Sequence, residues 1–221
     1  MCAAAQPFDT IALMKIAVVR QMITGNQQSL RISAVINPLP SADEWTLLPD
    51  GTVAIVRTQD YHIDWRGPVG KITSTPKMPF EWKRITPEEK QQMIDSVKKA
   101  DVDRLAKLPP PAPPAPGVFT SLPTPIMTVE PKEIPDFYPP VRAGPVRADR
   151  DGNVWILPST SIAGATGGLV YDVVDREGVI VERVQLPKDR TLVGFGPKGT
   201  IYMHYVKTPL VAALERAQMV R

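Results

Sequence analysis

The chain has 221 residues, 26 basic against 23 acidic side chains, a net charge of +3 and 43% hydrophobic residues. So small a charge does not mark a nucleic-acid surface, where cations crowd one face, while the apolar share is enough for a packed core. The one cysteine, Cys2, excludes an internal disulfide and a multi-cysteine metal site. Nothing apolar precedes Cys2, so a free thiol is expected rather than a lipid anchor, and no signal-peptide pattern opens the chain. The longest apolar run, Ile11 to Val19, is interrupted by Lys15. It falls well short of the ~20 residues of a spanning helix, so no membrane span is expected.

Short strands come first in chain order. Trp45 to Leu48, the turn Pro49-Asp50-Gly51 and Thr52 to Thr58 read as strand, turn, strand. Tyr61 to Trp65 reads as a further strand, with Tyr61, Ile63 and Trp65 on one face and His62 and Asp64 on the other. A helix is predicted over Pro87 to Lys107. Thr86 is its N-cap, Pro87 suits the first helical position, and Glu89 completes a capping box. Its apolar stripe is narrow: Met93, Val97, Ala100 and Leu105.

Proline then takes over. The chain holds 25 prolines, about 11% against a typical ~5%. Twelve of them fall between Pro109 and Pro140. Proline fixes φ and lacks an amide donor, so this stretch reads as an extended, semi-rigid strap. Strands return at Asn153 to Leu157, Leu169 to Val174, Val179 to Leu186, Thr191 to Phe195 and Thr200 to Tyr205. The end, LVAALERAQMVR, suits a helix by propensity and a strand by its setting; a strand over Ala213 to Val220 is preferred.

Three segments repeat: LPDGTVAIV (Leu48 to Val56), ADRDGNVWIL (Ala148 to Leu157) and GFGPKGTIYM (Gly194 to Met203). In each, a glycine able to take φ > 0 precedes a β-branched, apolar strand. Gly152 and Gly199 are 47 residues apart, and Gly51 and Gly152 are 101 apart. Setting aside the 55 residues from Thr86 to Pro140 leaves 46 in the longer interval. A period in the mid-forties with about four short strands per unit is that of a β-propeller blade. The expected fold is therefore mainly β: a partial, open β-propeller of three to four antiparallel blades, with one inserted α-helix and a proline-rich strap. Its expected divisions are blade-like units over 1–85, the insertion over 86–140, and further blade-like units over 141–221.

The chain also resembles bacterial six-bladed β-propeller proteins of the NHL/TolB-like type, common in Gemmatimonadota. The likeness rests on LLPDGTVAIVRTQDYHIDWRGPVG (Leu47 to Gly70), MPFEWKRITPEEKQQMIDSV (Met78 to Val97) and YDVVDREGVIVERVQLPKDRTLVGFGPKGTIYM (Tyr171 to Met203), and covers about three quarters of the chain. It implies a fold and brings no catalytic residues. Against a full ring, this chain has room only for a C-terminal half: Phe8 to Ile36, Asp43 to Ile85 and Val146 to Leu186 as blades, and Thr191 to Arg221 as an incomplete one. An unclosed ring exposes sheet edges and apolar faces, which other protein subunits would cover. The expected role is a non-enzymatic, membrane-extrinsic scaffolding subunit with protein partners, on the periplasmic side. A photosynthetic reaction centre with its antenna is one specific assembly considered.

Candidate chemistry is sparse. His62 and Asp64 share a face and could begin a metal site, but two ligands are too few. His204, the other histidine, has no carboxylate nearby in sequence. No G-x-S-x-G occurs, and the glycine-rich stretch after Pro158 matches no phosphate loop. No catalytic, cofactor-binding or metal residue is assigned. Trp45, Trp65, Trp82 and Trp155 read as blade core, with Trp82 the best interface anchor. Arg142, Arg147 and Arg150 read as a solvated rim or a contact with an acidic partner. The alternatives are a propeller-type hydrolase or lyase, or a ligand-sensing module.

Overall fold

The computed structural model describes residues 10–17, 20–24, 31–108, 124–141, 144, 146–164, 167–208 and 210–219. The first elements are β1 (Arg20–Thr24), β2 (Arg31–Ile36), β3 (Glu44–Leu47), β4 (Val53–Arg57), β5 (His62–Arg66), β6 (Ile72–Ser74), α1 (Pro87–Ala106) and β7 (Met127–Thr128). After a 3-10 turn at Pro131–Glu133 come β8 (Arg147–Ala148), β9 (Val154–Ile156), α2 (Ser159–Gly164) and β10 (Val170–Val174). The chain then forms β11 (Ile180–Gln185), β12 (Arg190–Phe195), β13 (Thr200–Thr208) and β14 (Val211–Gln218). The fold is mainly β, with four sheets and one long helix among the described residues. Two compact units divide the chain: residues 17–40 with 83–138, and residues 1–16, 41–82 and 139–221.

In the first unit the order is β1-β2-β7, with β1 antiparallel and β7 parallel to β2. The predicted capping box opens α1: the Glu89 amide donates to Thr86 Oγ1 at 3.2 Å and the Thr86 amide to Glu89 Oε2 at 2.9 Å. Leu39, Ile85, Ile94, Val129 and Ile134 make its core. The predicted apolar stripe of α1 is half-buried at Met93, Val97 and Leu105, but the deepest positions lie beside it. Ala100 is exposed, and the buried positions are Lys90, Ile94 and Asp101. Two of these are charged, and both reach polar groups of the segment that faces the helix. Lys90 Nζ donates to the Ile134 carbonyl at 2.9 Å and to Asp136 Oδ1 at 2.7 Å, while Asp101 Oδ2 accepts from the Ile126 amide at 2.8 Å. The expected strap is only partly extended: β7 and the 3-10 turn lie in its second half. Its first half, 109–123, lies outside the described residues.

The second unit stacks three antiparallel sheets, ordered β3-β4-β5-β6, β8-β9-β10-β11 and β12-β13-β14. β8 lies beside both β3 and β12, so the first strands of the three sheets are neighbours. One core contains Val56, Ile63 and Trp65 of the first sheet with Val154, Ile156 and Val174 of the second. The next contains Trp155, Tyr171 and Val173 of the second with Leu192, Ile201 and Met203 of the third. α2 forms at the start of the glycine-rich stretch after Pro158. The Ser159 amide and hydroxyl donate to the Pro140 and Pro139 carbonyls, and Ser161 Oγ accepts the Val170 amide at 2.7 Å. These partners are distant in sequence, which is why composition did not reveal them.

The repeated glycines do what the sequence requires. Gly51, Gly152 and Gly199 all have φ between +69° and +89°. In each turn the amide three residues before the glycine donates to the carbonyl one residue after it: Leu48 to Thr52, Asp149 to Asn153, Gly196 to Thr200. Gly70 and Gly178 repeat the device, with Gly67 donating to Lys71 and Asp175 to Val179. This is a three-residue hairpin loop ending in a left-handed glycine, and it locks the register of each strand pair. The C-terminal strand forms as expected, at Val211–Gln218.

Candidate functional site

Aligning the three sheets on Gly51, Gly152 and Gly199 superposes their second strands. Ala54, Trp155 and Tyr202 become equivalent, as do Ile55, Ile156 and Met203. The residue opposite the latter position is acidic every time: Asp64, Asp172 and Glu215. Each acid pairs with an arginine of its own sheet. Arg57 Nε reaches Asp64 at 2.7 Å, Arg183 Nε reaches Asp172 at 3.0 Å and Arg190 Nε reaches Glu215 at 2.9 Å. Burial pushes the Asp172 carboxyl above its ordinary range, with Arg183 opposing. Burial also acts on Asp64, but hydrogen bonds from Ser74 and Arg57 and the charges of Arg57 and His62 outweigh it and hold that carboxyl low. The Arg190 hydrogen bond holds Glu215 low.

Around Asp64 lies the richest polar network of the second unit. Ser74 Oγ donates to Asp64 Oδ1 at 2.6 Å, and His62 lies between two carboxylates, 2.7 Å from Asp60 and 3.2 Å from Asp64. Arg57 also binds Asp43 Oδ2 and the Leu13 carbonyl, each at 2.8 Å, and the Lys15 amide donates to Asp43 at 3.0 Å. The network therefore pins the 13–15 segment to the first sheet. Its order differs from that of a serine–histidine–aspartate triad. The hydroxyl donates to the aspartate instead of the imidazole, so the serine–histidine contact of a catalytic triad is not made. Both imidazole nitrogens are engaged, and among the described residues no three metal-binding side chains converge.

The other distinctive surface is the far side of the third sheet. On the second sheet the face pointing to the third carries Trp155, Tyr171 and Val173, none more than 1% exposed. The matching face of the third sheet carries Tyr202, His204 and Val206 on β13 and Ala212, Leu214 and Arg216 opposite them on β14. Leu214 is 70% exposed, Val206 is 55% exposed, and His204 lies in solvent. β14 is an edge strand, and the described residues add no fourth strand as in the other two sheets.

The four interface candidates are scattered. Trp82 is 44% exposed and stands at the end of an aromatic ladder, its ring 5.2 Å from Phe80, which is 5.7 Å from the buried Tyr61. Arg147 is half-buried and used internally: Nε donates to the Val193 carbonyl and Nη1 to its neighbour Val146, both at 3.2 Å. Arg150 is exposed beside a groove of about 260 Å³ that Lys198, Phe195 and Met219 also line. Arg142 lies outside the described residues. Of the tryptophans, Trp65 and Trp155 are core, while Trp45 is 57% exposed on β3 beside Leu47, contrary to the expectation for it. Trp45 pairs with Ile55 on the face that points away from the second sheet, so alternation turns it outward.

Sequence reasoning missed Asp149. Buried, it accepts the Asp151 and Asn153 amides at 2.9 Å, the Asn153 side chain at 2.9 Å and Trp155 Nε1 at 3.0 Å. The Asp-x-x-Gly turn was the available signal, since such an aspartate satisfies the backbone two residues on. No helix of the described residues is long and apolar enough to cross a membrane. Comparison with protein families, with curated proteins and with solved structures gives no match.

Proposed function

We propose that this chain is a non-enzymatic scaffolding subunit that docks on another protein surface through the far face and edge of its third sheet. One observation carries the reading: that face is exposed, while the equivalent face of the second sheet is a sealed core. Solvated apolar side chains beside an unpaired strand edge favour a partner that supplies apolar cover and backbone hydrogen bonds. Trp45, Leu47 and Trp82 add exposed apolar anchors elsewhere on the same unit. The polar network around Asp64 supports the same reading, because its hydroxyl, imidazole and guanidinium are spent on one another.

In this reading the three sheets are successive blades of an open β-propeller. Their neighbouring first strands, identical glycine hairpins and repeated acid–arginine pairs support it. The subunit sits at a membrane surface, on the periplasmic side, as part of a larger complex. The docking chemistry serves a photosynthetic reaction-centre assembly or any other complex with a complementary apolar face.

The test is gentle purification from native membranes with wild-type chain and the Leu214→Asp variant. Companion subunits retained by the wild type and lost from a folded variant are expected. Equal retention, or ester or lactone turnover abolished by His62→Ala, overturns the proposal.

A further inference from the structure

We infer that the groove beside the start of α1 binds a small organic anion, its acidic group held by Arg84 and Lys132 and its apolar body resting on two prolines. The site lies wholly in the first unit and is independent of the docking reading above. Its volume is about 500 Å³, within the range of small-molecule pockets. Its walls are held in place by local structure. The Ile85 amide donates to the Asp136 carbonyl at 2.9 Å and the Tyr138 amide to the Lys83 carbonyl at 3.0 Å. Pro87 opens α1 and Pro131 opens the 3-10 turn, so two rigid rings line the groove together with the buried Ile85. Walls that are already ordered lose little freedom when a ligand arrives.

The sign of the ligand follows from the charges. Arg84, Lys90 and Lys132 line the groove against one carboxylate, Asp136. Lys90 and Arg84 hold that carboxyl below its ordinary range, so it stays ionised and offsets one of the three positive charges. Arg84 is exposed, and its side chain makes no hydrogen bond or ion pair among the described residues. Lys132 pairs with Glu130, but the two side chains are 79% and 65% exposed. Water screens such a pair, so a bound anion replaces Glu130 at little cost. Lys90 supplies an independent sign of a missing acceptor. It is buried, and of its three N–H groups one goes to the Ile134 carbonyl and one to Asp136. The third has no acceptor among the described residues, and a buried donor left unused favours an acceptor brought from outside. The end of α1 is closed by its capping box and by Pro87, which has no amide hydrogen, so the side chains carry the attraction.

Magnetic-resonance titration of the full chain with benzoate, phenyl phosphate, inorganic phosphate and benzylamine tests the site. Benzoate or phenyl phosphate is expected to saturate, with shifts centred on the Arg84, Ile85 and Lys132 amides. Which of the two binds more tightly tells a carboxylate ligand from a phosphoryl one. Inorganic phosphate, which has no apolar body, is expected to bind at least about threefold more weakly than phenyl phosphate, and benzylamine is expected not to bind. Arg84→Gln removes a charge from an exposed position and is expected to raise the dissociation constant about threefold to tenfold. Lys132→Gln, also at an exposed position, is expected to act in the same direction with a smaller change. The inference is overturned if neither aromatic anion saturates, if benzylamine or inorganic phosphate binds as tightly as phenyl phosphate, or if Arg84→Gln leaves the affinity unchanged. None of these residues belongs to the third sheet, so that failure leaves the docking reading as it stands, while loss of the docking reading leaves this site untouched.

Discussion

The second and third sheets are built to one plan and meet different surroundings. Both begin their second strand one or two residues after a left-handed glycine, and both place an acid–arginine pair at the same register position. Yet among the described residues the second sheet is four strands wide and covered on both faces, and the third is three strands wide with one face in water. Local sequence sets hairpin geometry and alternation, because both depend on neighbours within a few residues. It does not set what covers a face. That difference is what the proposed docking role of the third sheet rests on.

The comparison breaks most sharply at the face position. Trp155→Ala empties a fully buried site and is expected to cost about 3–5 kcal/mol. On the same face of the third sheet, Leu214→Ala is expected to stay within ~0.5 kcal/mol for the isolated chain, since its side chain is mostly in water. Urea unfolding of both variants checks this, and equal losses would show that the third sheet is covered after all. Next in size is Asp149→Ala. It strips partners from two backbone amides and from the buried Trp155 indole, so a loss of about 2–3 kcal/mol is expected. Trp155→Phe sharpens the point, because it removes the indole donor while keeping a ring. Trp65→Phe is expected to cost less, since the Trp65 Nε1 has no hydrogen-bond partner among the described residues. At the turn itself, Gly152→Ala places a side chain at φ +89° and is expected to cost about 1 kcal/mol, read from the thermal midpoint.

The repeat was legible because glycine at φ > 0 followed by a β-branched strand leaves a strong local trace. Gly51, Gly152 and Gly199 therefore found the strands that follow them, and Thr86-Pro87-Glu89 found the start of α1. The repeated acid left no such trace. Asp64, Asp172 and Glu215 come 13, 20 and 16 residues after their glycines, because the intervening hairpins differ in length and one includes α2. Only strand pairing aligns them. Lys90 and Asp101 were illegible for a related reason: a charged side chain can be buried where distant backbone groups need it, and sequence spacing carries no record of those groups. Trp45 misled because aromatic residues in strands are usually covered, and its outward face is decided by what packs on the sheet.

The smallest expected effect concerns two members of the acid repeat, Asp64 and Asp172, whose environments push them in opposite directions. Asp64 is held below its ordinary range, so its folded form binds the proton less readily than the unfolded chain. The stability it adds is present above the unfolded carboxylate range and is lost as pH falls through the lower folded value. Asp172 is raised by burial, and its arginine partner is 69% exposed, too solvated to offset the desolvation. Its ionised form therefore costs stability at neutral pH, and acidification through the raised folded value relieves that cost. Against wild type, Asp64→Asn is expected to be destabilised at neutral pH and to converge on it in acid. Asp172→Asn is expected to be equal or more stable at neutral pH and to lose that advantage in acid. Urea midpoints of the three chains across the acid range read both slopes. Slopes of the same sign would mean that Arg183 outweighs the burial of Asp172, as Ser74 and Arg57 outweigh that of Asp64.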